Sequence, residues 1–144
     1  MTTTNATLSG AIKTVIEQLG LGVQVFRDVA PPKAHLPFVV VTENVAWQIL
    51  YAGDTGANTE STIREHAQLD IYQAKRAPDG TRIEDYNLED EICHQLQNTR
   101  LPTWVHHVDG LRVIMRSTGP QGTLRRTIVT IEIDRRYVTR FAPQ

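Results

Sequence analysis

Three ionisable side chains lie close together in the stretch EHAQLDIYQ, residues 65–73. Glu65, His66 and Asp70 are residue types that transfer protons in general acid–base catalysis. The alternation of apolar residues predicts a strand, in which Glu65 faces away from the other two side chains. His66 and Asp70 share a face, but four residues at about 3.3 Å each separate them by about 13 Å. Because direct hydrogen bonding needs about 3 Å, the stretch is predicted to be a sheet strand and not by itself a catalytic site. Glu65, at the start of the strand, is expected to lie near the edge, where its carboxylate can reach water or an arginine.

No other pattern in the sequence matches a catalytic or metal-binding signature. His106 and His107 are adjacent, so in a strand they would point to opposite faces and could not bind one ion together. The HExxH, GxSxG, GxGxxG and phosphate-loop signatures are absent. We therefore predict no catalytic residue, no metal site and no cofactor, and a function other than that of an enzyme.

Length and composition indicate one globular domain over residues 1–144, with 40% hydrophobic and 22% charged residues and a net charge of −1. Cys93 is the single cysteine, which excludes an intramolecular disulfide and a cysteine-based zinc site and fits a reducing, intracellular compartment. The N-terminus lacks the pattern of a signal peptide. The longest apolar run, Phe38 to Val41, is too short to span a membrane.

The periodicity of apolar residues predicts two helices and several strands. Helices are predicted at residues 5–19 and 82–98. Strands are predicted at residues 23–27, 38–45 with a continuation to 51, 63–72, 104–108, 111–117 and 123–138. A polar loop at 52–62 and the turn TGPQG at 118–122 separate them. Because strands cluster, the predicted fold class is α+β: a mostly antiparallel β-sheet with two α-helices packed on one face and a C-terminal β-hairpin.

The acidic start of the second helix has a structural explanation. Thr81 and Glu84 match a capping box, in which each side chain binds the other's backbone N–H. Glu84, Asp85 and Glu89 also suit the positive end of the helix dipole. The inner face of this helix is predicted to consist of Leu88, Ile92, Cys93 and Leu96.

Charge is unevenly distributed along the chain. Residues 79–91 contain six acidic side chains and one basic one, whereas residues 111–144 contain seven arginines and two acidic side chains. Three interpretations stay open: two solvated faces of opposite sign, acidic and basic patches that meet between copies of the chain, and nucleic-acid binding by the arginine-rich end. The last is the weakest, because the chain is not basic overall and lacks a nucleic-acid-binding signature.

The layout of the chain resembles the tail terminator, or tail completion, proteins of long-tailed bacteriophages and prophages. The resemblance includes the N-terminal helix LSGAIKTVIEQLG, the proline-bearing lead-in PPKAHLPFVVVTE and the alternating strand TIREHAQLDIYQ. It continues in the acidic-start helix IEDYNLEDEICHQLQN and the closing hairpin LRVIMRSTGPQGTLRRTIVTIEIDRRY. The stretch from LPFVVV to IDRRY carries most of it.

The resemblance implies a structural virion protein without catalytic residues. Such proteins are α+β proteins that assemble as a homohexameric ring on the tail tube, end tube polymerisation and provide the surface for head–tail joining. The implied partners are further copies of the chain, the tail tube protein and the head–tail connector protein. There is no membrane partner, and nucleic acid is present only as DNA passing through the ring. The implied location is the head-proximal end of the virion tail, after assembly in the bacterial host cytoplasm.

Two alternatives differ from this in partner or class. A head–tail connector or neck protein would also be a virion component, but with partners of a different symmetry. An unrelated small enzyme or binding domain is the third possibility.

Candidate interface residues come from the polar loop and the charge distribution, not from a motif of the resembled family. The loop and the Arg125-Arg126 region are expected to contact the tube or the connector. The complete set is Asp54, Asn58, Glu60, Glu89, Asp90, Arg112, Arg125, Arg126, Arg135 and Arg136.

Overall fold

The computed structural model describes residues 7–52, 60–84, 86–97, 99 and 111–138. Two helices and five strands follow one another in the order α1, β1, β2, β3, α2, β4, β5. The helices are α1 (Leu8–Gln18) and α2 (Asn87–Leu96). The strands are β1 (Gln24–Arg27), β2 (Phe38–Ala52), β3 (Glu60–Ala74), β4 (Arg112–Gln121) and β5 (Leu124–Val138).

The strands form one sheet in the order β1-β2-β3-β5-β4. Only the β1–β2 pair is parallel, and the other three pairs are antiparallel. Both helices pack on the face of the sheet that carries Ala67, Leu69 and Ile71, and their apolar side chains join these residues in one buried cluster. The predicted α+β class with two helices on one face is therefore confirmed. The single-domain organisation over residues 1–144 stays a prediction.

Local signals set the ends of α1, which is predicted at residues 5–19 and spans Leu8–Gln18 in the structure. Thr7 is the N-cap, and its Oγ1 accepts a hydrogen bond from the Gly10 backbone N–H at 3.2 Å. The Glu43 carboxylate from β2 accepts a second orphan N–H, that of Ser9, at 2.6 Å. Gly20, with a φ of 67°, takes the left-handed conformation that ends a helix. The first turn of α1 is thus hydrogen-bonded to β2 of the sheet.

The predicted start of α2 is wrong. The helix begins at Asn87, its N-cap is Tyr86, and no side-chain hydrogen bond caps it. Thr81 lies in the preceding turn, where its N–H binds the Asp79 carboxylate at 2.9 Å instead of a Glu84 capping partner. The inner face is as predicted: Ile92 and Leu96 are buried, and Leu88 and Cys93 pack against them partly buried.

The hairpin β4–β5 is confirmed, but its turn is displaced. Gln121 pairs with Leu124, so the turn is the two-residue loop Gly122-Thr123 and not residues 118–122. Gly122 has a φ of 61°, which glycine adopts without steric cost. Pro120 fits inside β4 because β4 is the last strand of the sheet, where a missing N–H need not break the ladder.

The stretch EHAQLDIYQ forms the middle of β3, with the alternation that the sequence predicts. Residues 63, 65, 67, 69 and 71 are buried on the helix-covered face. Glu65 reaches an arginine, as expected, through the 3.0 Å contact between its Oε1 and Nη2 of Arg135. The expected position of Glu65 near an edge is wrong, because β3 is the central strand. The strand predicted at 104–108, His106 and His107 lie outside the described residues.

Candidate functional site

The Glu89 carboxylate is the centre of a buried polar cluster between α2 and the sheet. Its side chain is 0% exposed. Arg125 donates to both oxygens, from Nε to Oε2 at 2.6 Å and from Nη2 to Oε1 at 3.0 Å. Thr127 and Gln73 donate to Oε2 at 2.6 and 2.9 Å. A buried charge is tolerated only when it is paired and hydrogen-bonded, and Glu89 meets both conditions.

Arg116 joins the same cluster from β4. Its Nη2 donates to Glu89 Oε1 at 2.9 Å, and its Nη1 donates to Asp90 Oδ1 at 2.5 Å. The Arg125 guanidinium lies 3.9 Å from the centre of the Tyr86 ring, in a cation–π contact at the start of α2. Two arginines of the hairpin therefore hold the first turn of α2 against the sheet.

Electrostatics keep Glu89 ionised. Burial alone would raise the pKa of its carboxyl, but hydrogen bonds from Arg125 and Thr127 and the charge of Arg125 hold the pKa below its ordinary value. The pKa of Arg116 is raised, chiefly by its hydrogen bond to Asp90. The pKa of Arg125 is raised by its hydrogen bond to Glu89. These directions keep Glu89, Arg116 and Arg125 charged at neutral pH.

A β-bulge in β4 aims Arg116 at this cluster. Val113 pairs with Ile131 and Met115 with Thr130, so an extra residue, Ile114, lies between two successive pairs. Arg112 faces the uncovered side of the sheet together with its partner Glu132. In a regular strand Arg116 would share that side with Arg112, since side chains alternate with a period of two. The bulge reverses the alternation, and Arg116 reaches α2.

An open cleft of about 990 Å³ lies beside the Glu89 cluster. Tyr86, Thr118 and Pro120 form part of its wall, and Glu84 and Asp90 add acidic groups. Among the described lining residues, basic side chains outnumber the acidic ones; they are Lys75, Arg76, Arg82, Arg116 and Arg125. We call this feature the basic cleft.

Two arginines of the basic cleft stand opposite each other on paired backbone. Arg76 and Arg82 form an antiparallel bridge that closes the turn after β3. Arg76 Nη1 donates to the Gly80 carbonyl at 3.0 Å, and Lys75 Nζ donates to the Gly122 carbonyl at 2.9 Å. Among the described residues, none of these three cations has a carboxylate within ion-pair distance. Like charges placed directly opposite each other across strands are unfavourable, so the bridge places Arg76 and Arg82 where their charges repel each other.

The uncovered face of the sheet carries a second network of charges. Arg64 donates to both oxygens of Asp134, at 2.9 and 3.3 Å. Arg112 Nη2 lies 3.0 Å from Glu132 Oε1 and 3.2 Å from Asp134 Oδ1. His66 Nε2 lies 2.9 Å from Glu132 Oε2. Burial would raise the pKa of both carboxyls, but hydrogen bonds and the charges of the arginines hold each pKa below its ordinary value. His66 is thus paired with Glu132, not with Asp70.

The structure distributes the candidate interface residues over several places. Glu89, Asp90 and Arg125 lie in the cluster at α2, where charges that the sequence divides between an acidic and a basic segment meet within one chain. Arg112 and Arg126 lie on the uncovered face, and Arg126 pairs with Asp70 at 3.0 Å. Their role as interface residues stays a prediction.

The remaining candidates are less fully placed. Arg135 contacts Glu65 on the helix-covered face. Glu60 and Arg136 are located by backbone pairing alone, with Val138 and Thr62. Asp54 and Asn58 fall outside the described residues.

No reactive group emerges from the described part of the chain. There, no set of three His, Cys, Asp or Glu side chains could hold a metal ion. Burial raises the pKa of the Cys93 thiol, which disfavours the nucleophilic thiolate. Of the helices described, neither is long and apolar enough to cross a membrane.

Neither the basic cleft nor the burial of Glu89 was predicted from the sequence. Lys75, Arg76 and Arg82 border a turn and give no periodic signal. One signal was available: residues 75–83 contain four basic or acidic charges around APDG, which is the composition of a charged hairpin turn. Arg116 could not have been found, because the bulge that turns it has no sequence signature.

Comparison with protein-family models and with curated proteins gives no match. Among solved structures, the fold is similar to that of a chain in the virion of a native gene transfer agent (GTA) particle. The two chains are 12% identical, with a TM-score of 0.55 over 90% of this chain and 95% of the other. An identity this low shows a common fold and no more. The protein therefore shares, along nearly its whole length, the fold of a chain from a virion.

Proposed function

We propose that this protein is a structural component of a phage-like virion, and that it caps the tail tube as a ring that ends tube polymerisation and receives the head. The observation that carries the proposal is the fold in common with a chain of a GTA virion, over 90% of this chain. The layout of helices and strands, which resembles that of tail terminators, adds support for the finer role.

The chemistry of the described residues supports a structural role. The basic cleft is lined mostly by charged side chains, and its described lining includes no nucleophile held by a base. The polar clusters are ion pairs that fix elements to each other, as at Glu89 and at Arg64–Asp134. Such pairs give a rigid subunit, and a rigid subunit suits a component that forms contacts on several sides.

Deletion of the gene from a particle-producing genome tests the role. A terminator stops tube growth, so its loss should give tails of uncontrolled length. Loss of a head–tail connector should instead give tails of normal length that lack heads. Electron microscopy of lysates distinguishes the two. Particles with normal, head-bearing tails would contradict both roles.

A biochemical test of ring formation complements the deletion. The absolute mass of the purified protein, measured by light scattering behind size exclusion over a range of concentrations, should rise to that of a hexamer. A twelve-subunit assembly would move the assignment to the connector. A monomer that remains monomeric even when mixed with the tail tube protein would contradict a ring.

A further inference from the structure

We propose that the basic cleft is the receptor for residues 53–60 of a second copy of this chain, so that subunits join arm to cleft. We call the segment from Asn44 to Ile63 the arm; it consists of the end of β2, the start of β3 and the residues between the two strands. The inference rests on the proposed function, because it names the contact that would close the ring.

Three cations of the basic cleft have no carboxylate partner among the residues that the structure describes. Lys75, Arg76 and Arg82 bind backbone carbonyls or no described group, whereas Arg116 and Arg125 are paired with Glu89 and Asp90. The Arg76–Arg82 bridge keeps two of the unneutralised cations side by side. An incoming carboxylate would relieve their mutual repulsion and add charge-assisted hydrogen bonds.

The arm has the complementary charge. Lys and Arg are absent from Ala34 to Ile63. Three acidic residues occur in that interval, and one of them, Glu43, is occupied at the N-terminus of α1. Asp54 and Glu60 are left for the arm, together with hydroxyl and amide side chains that can donate to Glu84 and Asp90 at the cleft.

The cleft and the described start of the acidic segment lie at opposite ends of β3. Glu60 begins β3, and Lys75 follows the last residue of the same strand, Ala74. Fourteen steps at about 3.3 Å put the two ends of the strand about 46 Å apart. A cleft at one end of β3 and an acidic segment joined to its other end favour a head-to-tail contact between copies, which repeats from copy to copy and closes into a ring when the rotation allows it.

The phosphate backbone of DNA is the other polyanion that could occupy a basic surface. The lining carries the carboxylates of Glu84 and Asp90 between its cations, and these would repel a continuous row of phosphates. A short segment with two carboxylates does not require a continuous row of cations. It can form its ion pairs with the three cations that have no described carboxylate partner. The arrangement of charge therefore favours the arm.

Charge reversal in the full-length protein tests the pairing. Arg76→Glu with Arg82→Glu, and separately Asp54→Arg with Glu60→Arg, should each weaken self-association by about tenfold or more. All four substitutions in one chain should restore it, because every contact again joins opposite charges. Circular dichroism checks that each variant is folded. Four substitutions that leave association as weak as two would overturn the proposal.

Crosslinking gives a readout that does not need a closed ring. In a Cys93→Ala background, one chain carries Thr55→Cys and a size-tagged second chain carries Pro120→Cys. A short bis-maleimide should join the two chains, with a yield several-fold above that of a control pair in which Lys13→Cys, at a partly exposed position of α1, replaces Pro120→Cys. A yield equal to the control would overturn the proposal. Control-level crosslinking together with binding of duplex DNA that Arg76→Glu/Arg82→Glu abolishes would assign the cleft to nucleic acid.

The two levels of inference fail separately. Hexamers that cap tubes but crosslink only at the control level would overturn the arm–cleft contact and leave the proposed function intact. Crosslinking through the cleft, in a protein whose gene deletion leaves tails normal, would support the contact and overturn the function.

Discussion

Arg125, near the start of β5, donates hydrogen bonds to both carboxylate oxygens of Glu89 in α2, and the Glu89 side chain is fully buried. The Arg125 side chain is 28% exposed, so water reaches only one partner of the pair. The charge of Glu89 is therefore stabilised by the arginines of the hairpin. This relationship makes the position of α2, and with it one wall of the basic cleft, dependent on β4 and β5.

Glu89→Gln should destabilise the protein. The substitution keeps the volume but leaves Arg116 and Arg125 facing an uncharged amide, one of whose hydrogens would point at a guanidinium. Removing one partner of a buried pair costs about 3–5 kcal/mol, and partial exposure of the arginines should reduce this to about 2–3 kcal/mol. Urea unfolding measures the change. The control Glu91→Gln, on an exposed position of the same helix, should shift stability by less than about 0.5 kcal/mol. Equal effects would contradict a special role for Glu89.

The pH dependence of stability should follow from the carboxyls with lowered pKa. In the folded chain the pKa values of Glu89, Glu132 and Asp134 lie below their ordinary values of 4.5, 4.5 and 3.8. Their stabilising effect is complete above those values and is lost as pH falls through the lower, folded pKa of each. Unfolding free energies measured from neutral pH down to about pH 3 should therefore decrease, and less steeply for Glu89→Gln. Identical slopes for the variant and the wild type would refute the assignment.

Cys93 should react slowly in the folded protein. Its thiol is half-buried against the core, and desolvation raises its pKa, so the reactive thiolate is scarce. Alkylation by iodoacetamide at about pH 8, followed by mass spectrometry, should be about tenfold or more slower than in urea-unfolded chains. Similar rates in the two states would show that the thiol is accessible and ionised.

Self-association should weaken as salt increases. The proposed arm–cleft contact relies on partly solvated charges, which ions screen over a Debye length of about 10 Å at 0.1 M. Sedimentation velocity from low salt to about 0.5 M should show the dissociation constant rising by about tenfold. The Arg76→Glu/Arg82→Glu variant is the matched control, since its residual association should depend less on salt. Association that strengthens with salt would indicate an apolar interface.

The sequence predicted those parts of the fold that one-sided burial controls. Strand β3 alternates because Ala67, Leu69 and Ile71 face the core while polar side chains alternate with them on the opposite face. The helical spacing of apolar residues in α1 likewise corresponds to its buried face. These signals depend on residues close together in the chain, so they can be predicted from the sequence.

Features that depend on contacts distant in sequence were not predictable. Glu89 resembles a solvated residue in the first turn of a helix until Arg125, 36 positions away, is brought against it. The predicted capping box failed because the backbone of residues 75–83 pairs with itself, with the Ile83 N–H donating to the Lys75 carbonyl. The basic cleft forms from three separate segments, and only the fold brings them together.

The length of β3 has a mechanical consequence. The strand is bonded to β2 on one side and to β5 on the other over almost all of its fifteen residues. In an antiparallel ladder the hydrogen bonds run perpendicular to the strands, so tension along β3 would load them in shear, all together. If subunits join arm to cleft as proposed, the cleft lies at one end of β3 and the arm at the other. Tension between neighbouring subunits would then pass along β3 and the strands paired with it, and not through the helices.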